Sequence, residues 1–469
     1  MIALSFIVSV TGCDGNNNQN IAYEQEYTMI LTEGNKQPVS DYLLGFNLIY
    51  PYENDDIWQD GKIAKQLQDV GAAMLRYPGG TVTSFYHWDA LTGRGWEDSW
   101  NPGQSSIPEP ESNFMDVDQY MELIRTTGAT PLVGINITSG WLHDRMEDGI
   151  QEAIGLMQYC KDNNFDVEYW YLDNEPYHRT ANGGIKTPKE YAELINAYAG
   201  PMKEFDPDIK IIANWNNAFE LRRNEYEELL AIAGDYIDII DVHYYWSWNK
   251  PTMEFWLSHT PTRMHTGKSY IEELTYFKQM VTELGYPDIR LASLEWNVGP
   301  IREGQITPDQ AALIQAEILM QFMIGGLDMA TFWPMHHHSS ASKNRTFVEE
   351  DDKTLKPVYP IFKFLGQLQG STLINEEVSN DLPHVVSLAA MDDEVIRMAF
   401  LNKNEFNIRV NVASELLEDG VLLNGNSYVL IEDNSHELNS AELIHHEDDE
   451  VSYIARGSSL TMLTFKKSN

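Results

Sequence analysis

Two glutamates stand out by where they fall. Glu175 lies in Asp173-Asn174-Glu175-Pro176, and Glu295 in Leu294-Glu295-Trp296-Asn297. Each closes a short apolar run. Leu172 leads into the first; Leu291, Ala292, Ser293 and Leu294 lead into the second. Two carboxylates delivered by the ends of two different strands suit glycoside hydrolysis, where one is a protonated acid and the other an ionised nucleophile or base. The two stand 120 residues apart. That is about three βα units of a barrel whose eight units fill ~250 residues or more.

The elements that must position them follow from hydrophobic patterning. Short apolar runs alternate with longer helical patterns from Leu43 to about Gly370. The expected strands are Leu43–Ile49, Ala73–Tyr77, Pro131–Asn136, Val167–Asp173, Ile209–Asn214, Ile237–His243, Ile289–Glu295 and Met329–Trp333. Helical patterns follow each, near residues 57–70, 117–126, 150–161, 188–204, 225–233, 270–284, 308–324 and 359–367. Eight strands alternating with eight helices predict an α/β fold, a closed (β/α)8 TIM barrel. After Ser371 the texture changes. Val395–Phe400, Ile408–Val412, Tyr428–Ile431 and Leu460–Phe465 alternate between Asp, Asn and Gly turns, as in an antiparallel β-sandwich. Tyr27–Leu31 reads as a strand that joins that sandwich. The expected organisation is therefore a leader and tether over 1–24, a strand segment over 25–40, the barrel over 41–370 and the sandwich over 371–469.

In such a barrel the chemistry sits at the carboxyl ends of the strands. Arg76 ends strand two, Asn136 strand three, Asn174 and Glu175 strand four, His243 and Tyr245 strand six, and Glu295 strand seven. Trp333 ends strand eight, followed by His336, His337 and His338. Trp296 and Trp333 offer flat faces on which a sugar can stack. Structural alternatives stand beside these roles: Arg76 could pair with a barrel carboxylate, and His243 could be a satisfied strand-end histidine. Three consecutive histidines do not easily surround one ion. No metal site and no cofactor is expected.

Arg76-Tyr77-Pro78-Gly79-Gly80 with Tyr86-His87-Trp88, then Val133-Gly134-Ile135-Asn136, Asn174-Glu175, His243-Tyr244-Tyr245 and Glu295-Trp296-Asn297-Val298 form a set. Together they resemble the strand-end motifs of clan A retaining glycoside hydrolases, and most of all glycoside hydrolase family 51, the α-L-arabinofuranosidases. The resemblance covers roughly residues 40–370. It implies that Glu175 is the general acid/base and Glu295 the nucleophile. The acid must hold its proton near neutral pH, so its site should raise its pKa. Arg76 and Tyr245 would keep Glu295 charged, and Asn174 would bond a sugar hydroxyl beside the anomeric carbon. The chain departs from the family at Pro176-Tyr177, at Gly45-Phe46-Asn47, where the family's first strand ends in Glu, and at Leu294. The expected substrate is therefore a plant or algal cell-wall polysaccharide or its oligosaccharides. One alternative is an endo-acting hydrolase of an algal galactan, of agarase or porphyranase type. Another is a glycan-binding lipoprotein without activity.

Composition narrows the partners. The net charge of −39 makes nucleic acid a poor partner. It disfavours sulfated polymers only weakly, because salt screens the global field and leaves local Lys and Arg in control. Among 469 residues there are two cysteines. Cys160 reads as a buried small apolar residue. Cys13 follows the apolar run from Ile2 to Val10 through Val10-Thr11-Gly12, like a bacterial lipobox, although no Lys or Arg precedes the run. Residues 14–20 then read as a flexible tether. The expectation is a bacterial cell-envelope protein, periplasmic or at the outer-membrane surface, held to the membrane only through a lipid on Cys13. Its oligomeric state stays open.

Overall fold

The computed structural model describes residues 22–468 apart from 90–97, 102–113, 179–185, 249–251, 259, 262–266, 303, 338, 340–341, 351, 379–381, 432–434 and 448–449. Cys13 and its tether lie outside the described residues. The chain divides into two compact units: one runs from Ser40 to Gln369, and the other holds the residues up to Val39 and from Gly370 onward.

The larger unit is the barrel that the alternation predicts. After β1 (Gln25–Thr32) of the other unit come β2 (Tyr42–Asn47), β3 (Met74–Tyr77), β4 (Thr130–Ile135), β5 (Tyr169–Leu172), β6 (Lys210–Asn214), β7 (Ile239–Trp246), β8 (Arg290–Val298) and β9 (Met329–Phe332). They close in sequence order, each parallel to its neighbours. Met74, Leu132, Tyr169, Tyr171, Ile212, Ile239, Ala292, Leu294 and Met329 form a shared cluster of buried residues. Burying a Leu, Ile or Met of this kind contributes roughly 1.5–3 kcal/mol, so this cluster alone can carry several strained residues at the rim.

The helices begin where their sequence says they should. Asp116 with Gln119, Thr187 with Glu190, Ser269 with Glu272, and Thr307 with Gln310 each close a reciprocal capping box. Such a box satisfies two otherwise orphaned backbone donors. The pattern at 57–70 is not one helix. It breaks into Asp55–Trp58 and Lys62–Asp69 around Gly61, whose φ is 67°. Among the described residues no helix is long and apolar enough to cross a membrane.

Two strands run past their expected ends. β7 reaches Trp246 and β8 reaches Val298. β8 also carries one extra residue. Asp241 pairs with Ala292 but His243 pairs with Glu295, and on the other side Ser293 pairs with Ala330 but Trp296 with Phe332. Both neighbours thus register one inserted residue between Ser293 and Trp296, a β-bulge.

The second unit is a two-sheet structure. Its further strands are β10 (Thr372–Leu373), β11 (Asn375–Val378), β12 (Val385–Met391), β13 (Val395–Asn402), β14 (Ile408–Ala413), β15 (Leu417–Leu430), β16 (His436–Ser440), β17 (Glu442–Glu447), β18 (Glu450–Ala455) and β19 (Ser459–Lys467). One sheet runs β11-β1-β14-β18-β17 and the other β10-β12-β13-β19-β15-β16. The early strand β1 joins as its sequence suggests, but it lies parallel to β14, so the sandwich is not wholly antiparallel. Tyr27, Met29 and Leu31 of β1 share one core with Met398 and Phe400 of the opposite sheet.

Candidate active site

Two glycines shape the approach to the site. Gly79 has φ 81°, and a Cβ there would lie 1.7 Å from the Leu48 carbonyl oxygen. Gly80 has φ 54°, and its Cβ would come 2.4 Å from the Trp333 ring. Only glycine fits both the conformation and the space. This turn follows β3 directly and lets Arg76, the third residue of β3, be buried beneath it.

Arg76 organises the floor. Its Nη1 donates to Glu295 Oε1 and to Asn47 Oδ1, both at 2.9 Å, and its Nη2 donates to Asn174 Oδ1 at 2.7 Å. The guanidinium also lies 4.4 Å from the centre of the Tyr171 ring. Glu295 receives a second bond, 2.8 Å from Tyr245 Oη to Oε2. The carboxylate therefore has a fixed donor on each oxygen, which favours its ionised form.

Glu175 is held by its backbone as much as by its side chain. Asp173 and Glu175 have φ of 67° and 44°, a left-handed conformation that costs a non-glycine residue of order 1–3 kcal/mol. Surrounding bonds maintain it. Asp173 Oδ1 accepts from Ser84 Oγ at 2.5 Å and from the Asn174 amide at 2.9 Å. Its Oδ2 accepts from Thr138 and pairs with Lys186 Nζ at 3.2 Å, both side chains fully buried. The Glu175 amide donates 2.7 Å to Asn214 Oδ1.

His243 joins the two carboxylates. Nδ1 lies 2.9 Å from Glu175 Oε1 and 3.3 Å from Glu295 Oε2, while Nε2 lies 3.2 Å from Asp241 Oδ2. Burial opposes a charge on this ring, but Glu295, Asp241 and Glu175 outweigh it and push the imidazole up to about 10. The cation acts back on Glu175. Burial alone would raise that carboxyl, yet the His243 hydrogen bond and charge, with His178 and Arg76, hold it below the usual glutamate value. The sequence-based expectation of a raised acid is thus corrected, because the histidine beside it is charged. Donor atoms of Glu175, His243 and Glu295 all lie within 4.8 Å of one another. That is close enough for a metal ion, and equally for the charged imidazole to donate its N–H to the carboxylates. One oxygen of Glu175 and one of Glu295 thus approach within 4.8 Å, a close approach of the kind retaining hydrolysis needs.

The structure brings together Arg76, Asn174, Glu175, His243, Tyr245 and Glu295. Trp333 is half-buried at the rim, its ring over Gly80. Two expected binding residues are engaged otherwise. Asn136 spends its amide on the loop, donating to Tyr86 O at 3.2 Å and Ser139 Oγ at 2.7 Å and accepting from the Ser139 amide. Trp296 is fully buried among Phe322, Phe332 and Phe362. It is the outward neighbour of Glu295 on β8, so it packs against the helical layer and not the mouth. His336 is buried against Glu53 at 2.9 Å, and His338 lies outside the described residues. The loop residue His87 is likewise structural, bonded to Glu152 at 2.8 Å and Asp98 at 3.2 Å. Residues that sequence reasoning missed are Asp173, Lys186, Asn214, Asp241, Trp248 and Arg345. Asp173 carried a signal, since it adjoins Asn174-Glu175. Lys186 carried none.

Similarity to known proteins bears on this geometry. The alpha-L-arabinofuranosidase 1 domain family matches residues 66–259, a segment that includes every clustered residue but Glu295. A probable alpha-L-arabinofuranosidase C from Aspergillus fumigatus is 23% identical over 206 residues, 39% of this chain and 38% of that protein. An intracellular exo-alpha-(1->5)-L-arabinofuranosidase from Acetivibrio thermocellus is 24% identical over 275 residues, 53% of this chain and 52% of that protein. The chain thus spans about two fifths to half the length of these curated relatives. The solved family 51 alpha-L-arabinofuranosidase from Thermotoga petrophila has the same fold, with a TM-score of 0.72 at 18% identity over 94% of this chain and all of that one. In matched segment and in fold the chain is similar to family 51 arabinofuranosidases.

Proposed function

We propose that this protein is a retaining glycoside hydrolase of α-L-arabinofuranosidase type. It would act on plant or algal cell-wall polysaccharide or its oligosaccharides. The observation that carries the reading is the Glu175–His243–Glu295 cluster, with its donor atoms within 4.8 Å. Glu295, fixed by Arg76 and Tyr245, attacks the anomeric carbon and expels the leaving oxygen, forming a glycosyl ester. Glu175 supplies the proton to that oxygen. His243 and Glu175 titrate as a pair, so the proton that His243 Nδ1 holds against Oε1 passes to the carboxyl as the leaving oxygen approaches. Glu175 then takes a proton from water, which attacks the ester and restores the starting configuration.

A second reading, an endo-acting hydrolase, is favoured by one observation. Asn47 stands where the resemblance leads one to expect a glutamate. Its amide is consumed inside the barrel, donating to Leu294 O at 2.9 Å and Thr331 Oγ1 at 3.0 Å. No carboxylate projects from that strand end to close a pocket around a terminal sugar.

An aryl α-L-arabinofuranoside, arabinan and an algal galactan separate these readings. Release of arabinose with the α configuration, followed by NMR, is expected. Rapid loss of polymer length with no free arabinose would favour the endo reading. No cleavage of any of the three would reject both. We also propose lipid attachment at Cys13, supported by Val10-Thr11-Gly12-Cys13 after an apolar run. The variant Cys13→Ala, made in a bacterial host, should move from the membrane to the soluble fraction; identical fractionation would refute the anchor.

A further inference from the structure

Among the described residues, three buried Arg and Lys side chains stand around the barrel mouth beside His243, and they are satisfied differently. Arg76 pairs with Glu295 and Lys186 with Asp173. Arg345 is only 3% exposed, and no carboxylate of a described residue lies within ion-pairing distance of it. Its Nη1 donates to the Val298 carbonyl, and its Nε has no hydrogen-bond partner. Burial pulls this guanidinium down to about 10, while Tyr245 and Glu295 act in the opposite direction. A charge taken out of water without a counter-ion costs several kcal/mol.

The surroundings of Arg345 are built. Its guanidinium lies 5.2 Å from the centre of the Tyr245 ring, whose hydroxyl touches the nucleophile, and 5.8 Å from that of Trp248. Asn297 Nδ2 donates 2.9 Å to the Arg345 carbonyl, and Gln315 fixes that amide at 2.7 Å. Gly299 lies so close to Trp248 that a Cβ would come 2.5 Å from its Cα. Yet the Trp248 side of this assembly is open: the residue is 41% exposed, and its ring stands edge-on to Tyr245 at 5.1 Å. A fixed, exposed indole beside a buried guanidinium that meets no carboxylate of a described residue and leaves its Nε–H unused offers both a stacking face and a cationic donor for an anionic oxygen.

We propose that Trp248 and Arg345 form a subsite beside the nucleophile that takes a sugar unit carrying an anionic oxygen group, the carboxylate of a uronosyl unit or a sulfate ester. Trp248 stacks on the ring and Arg345 supplies the missing counter-charge. The net charge of −39 does not forbid this, because at physiological salt the field is screened beyond ~8 Å and the contact itself decides.

The subsite rests on the hydrolase reading, so its test has two levels. The first compares kcat/KM on matched pairs: an arabinofuranosyl xylo-oligosaccharide with and without a glucuronosyl branch, and an arabinofuranosyl galacto-oligosaccharide with and without a sulfate ester. The wild-type protein should prefer the charged member of one pair by about tenfold or more, the range of a charge-assisted bond, and the responding pair identifies carboxylate or sulfate. Arg345→Met should bring that ratio close to one, while Trp248→Ala should lower both members together. A wild-type ratio near one in both pairs, or a ratio that Arg345→Met leaves intact, overturns the proposal. If Arg345→Met does not fold by circular dichroism, Arg345→Lys replaces it; the ratio should then fall severalfold, because Lys lacks the guanidinium Nε–H. If no glycoside is cleaved at all, the hydrolase reading fails, and calorimetry with trigalacturonate and with a sulfated galactotriose judges the subsite alone. Binding of either to the wild type that Arg345→Met or Arg345→Lys weakens sustains it; equal or absent binding rejects it.

Discussion

His243 Nδ1 lies 2.9 Å from Glu175 Oε1, so the charge that sets the proton affinity of the acid comes from a different strand. The signs follow directly. The folded-state pKa of His243 is raised to about 10, so the stability it contributes is complete below the ordinary imidazole value and is lost as pH rises through about 10. That of Glu175 is lowered, so its contribution is present above the ordinary glutamate value and is lost as pH falls through the lowered one. In His243→Gln the cation is gone and burial raises Glu175. The alkaline limb of kcat/KM, set in the parent by loss of the proton that His243 shares with Glu175, should fall back to the lone Glu175 carboxyl and move to lower pH, while kcat falls about 10–100-fold. A pH profile with an aryl arabinofuranoside of poor leaving ability checks this. An alkaline limb that stays put or moves up would show that His243 does not supply the proton.

The roles of the two glutamates separate by stereochemistry. Glu295→Ala removes the route to the covalent intermediate, whereas Glu175→Ala leaves it open for an acidic phenol leaving group. With azide, Glu175→Ala should give a glycosyl azide of the same anomeric configuration as the substrate, and Glu295→Ala the opposite one. Exchanged products would exchange the roles. A polysaccharide rate close to the parent's in either variant would remove that residue from the mechanism.

Lys186 should matter for stability and catalysis at once. Lys186→Met leaves Asp173 buried without its cation, a change that typically costs 3–5 kcal/mol. Asp173 holds Asn174 and Glu175 in place, so kcat should fall more than KM rises. Chemical denaturation and steady-state kinetics check the two halves. A denaturation free energy within ~0.5 kcal/mol of the parent would mean that the pair is inert.

The barrel was legible because its signal is periodic and repeated eight times. Each strand core from Leu43 to Phe332 reads as an apolar run, and the four capping boxes mark helix starts that need no tertiary information. Strand-end chemistry was legible for the same reason, since Arg76 and Glu295 end their runs. Other features depend on distant partners. Nothing near Glu175 announces that His243 will be charged; that follows from Asp241 and Glu295 packing around the ring. Lys186 meets Asp173 from later in the chain, and Arg345 follows β9 without any motif. Trp296 misled because a tryptophan beside a catalytic glutamate looks like a platform, while its direction depends on strand parity.

That parity turns on one residue. Ala292 and Leu294 belong to the barrel interior, so strict alternation would send Trp296 inward and Glu295 out. The bulge between Ser293 and Trp296 reverses the order, because side chains in a strand change face at every step. The catalytic address is therefore a matter of counting. Deleting Ser293 would remove the inserted residue and return β8 to regular alternation, with Ala292 still opposite Asp241 and Glu295 still opposite His243, so the nucleophile would keep its inward place. For directed evolution of this scaffold, a one-residue deletion is absorbed at the bulge, whereas the same change in a regular stretch of β8 turns over every side chain beyond it.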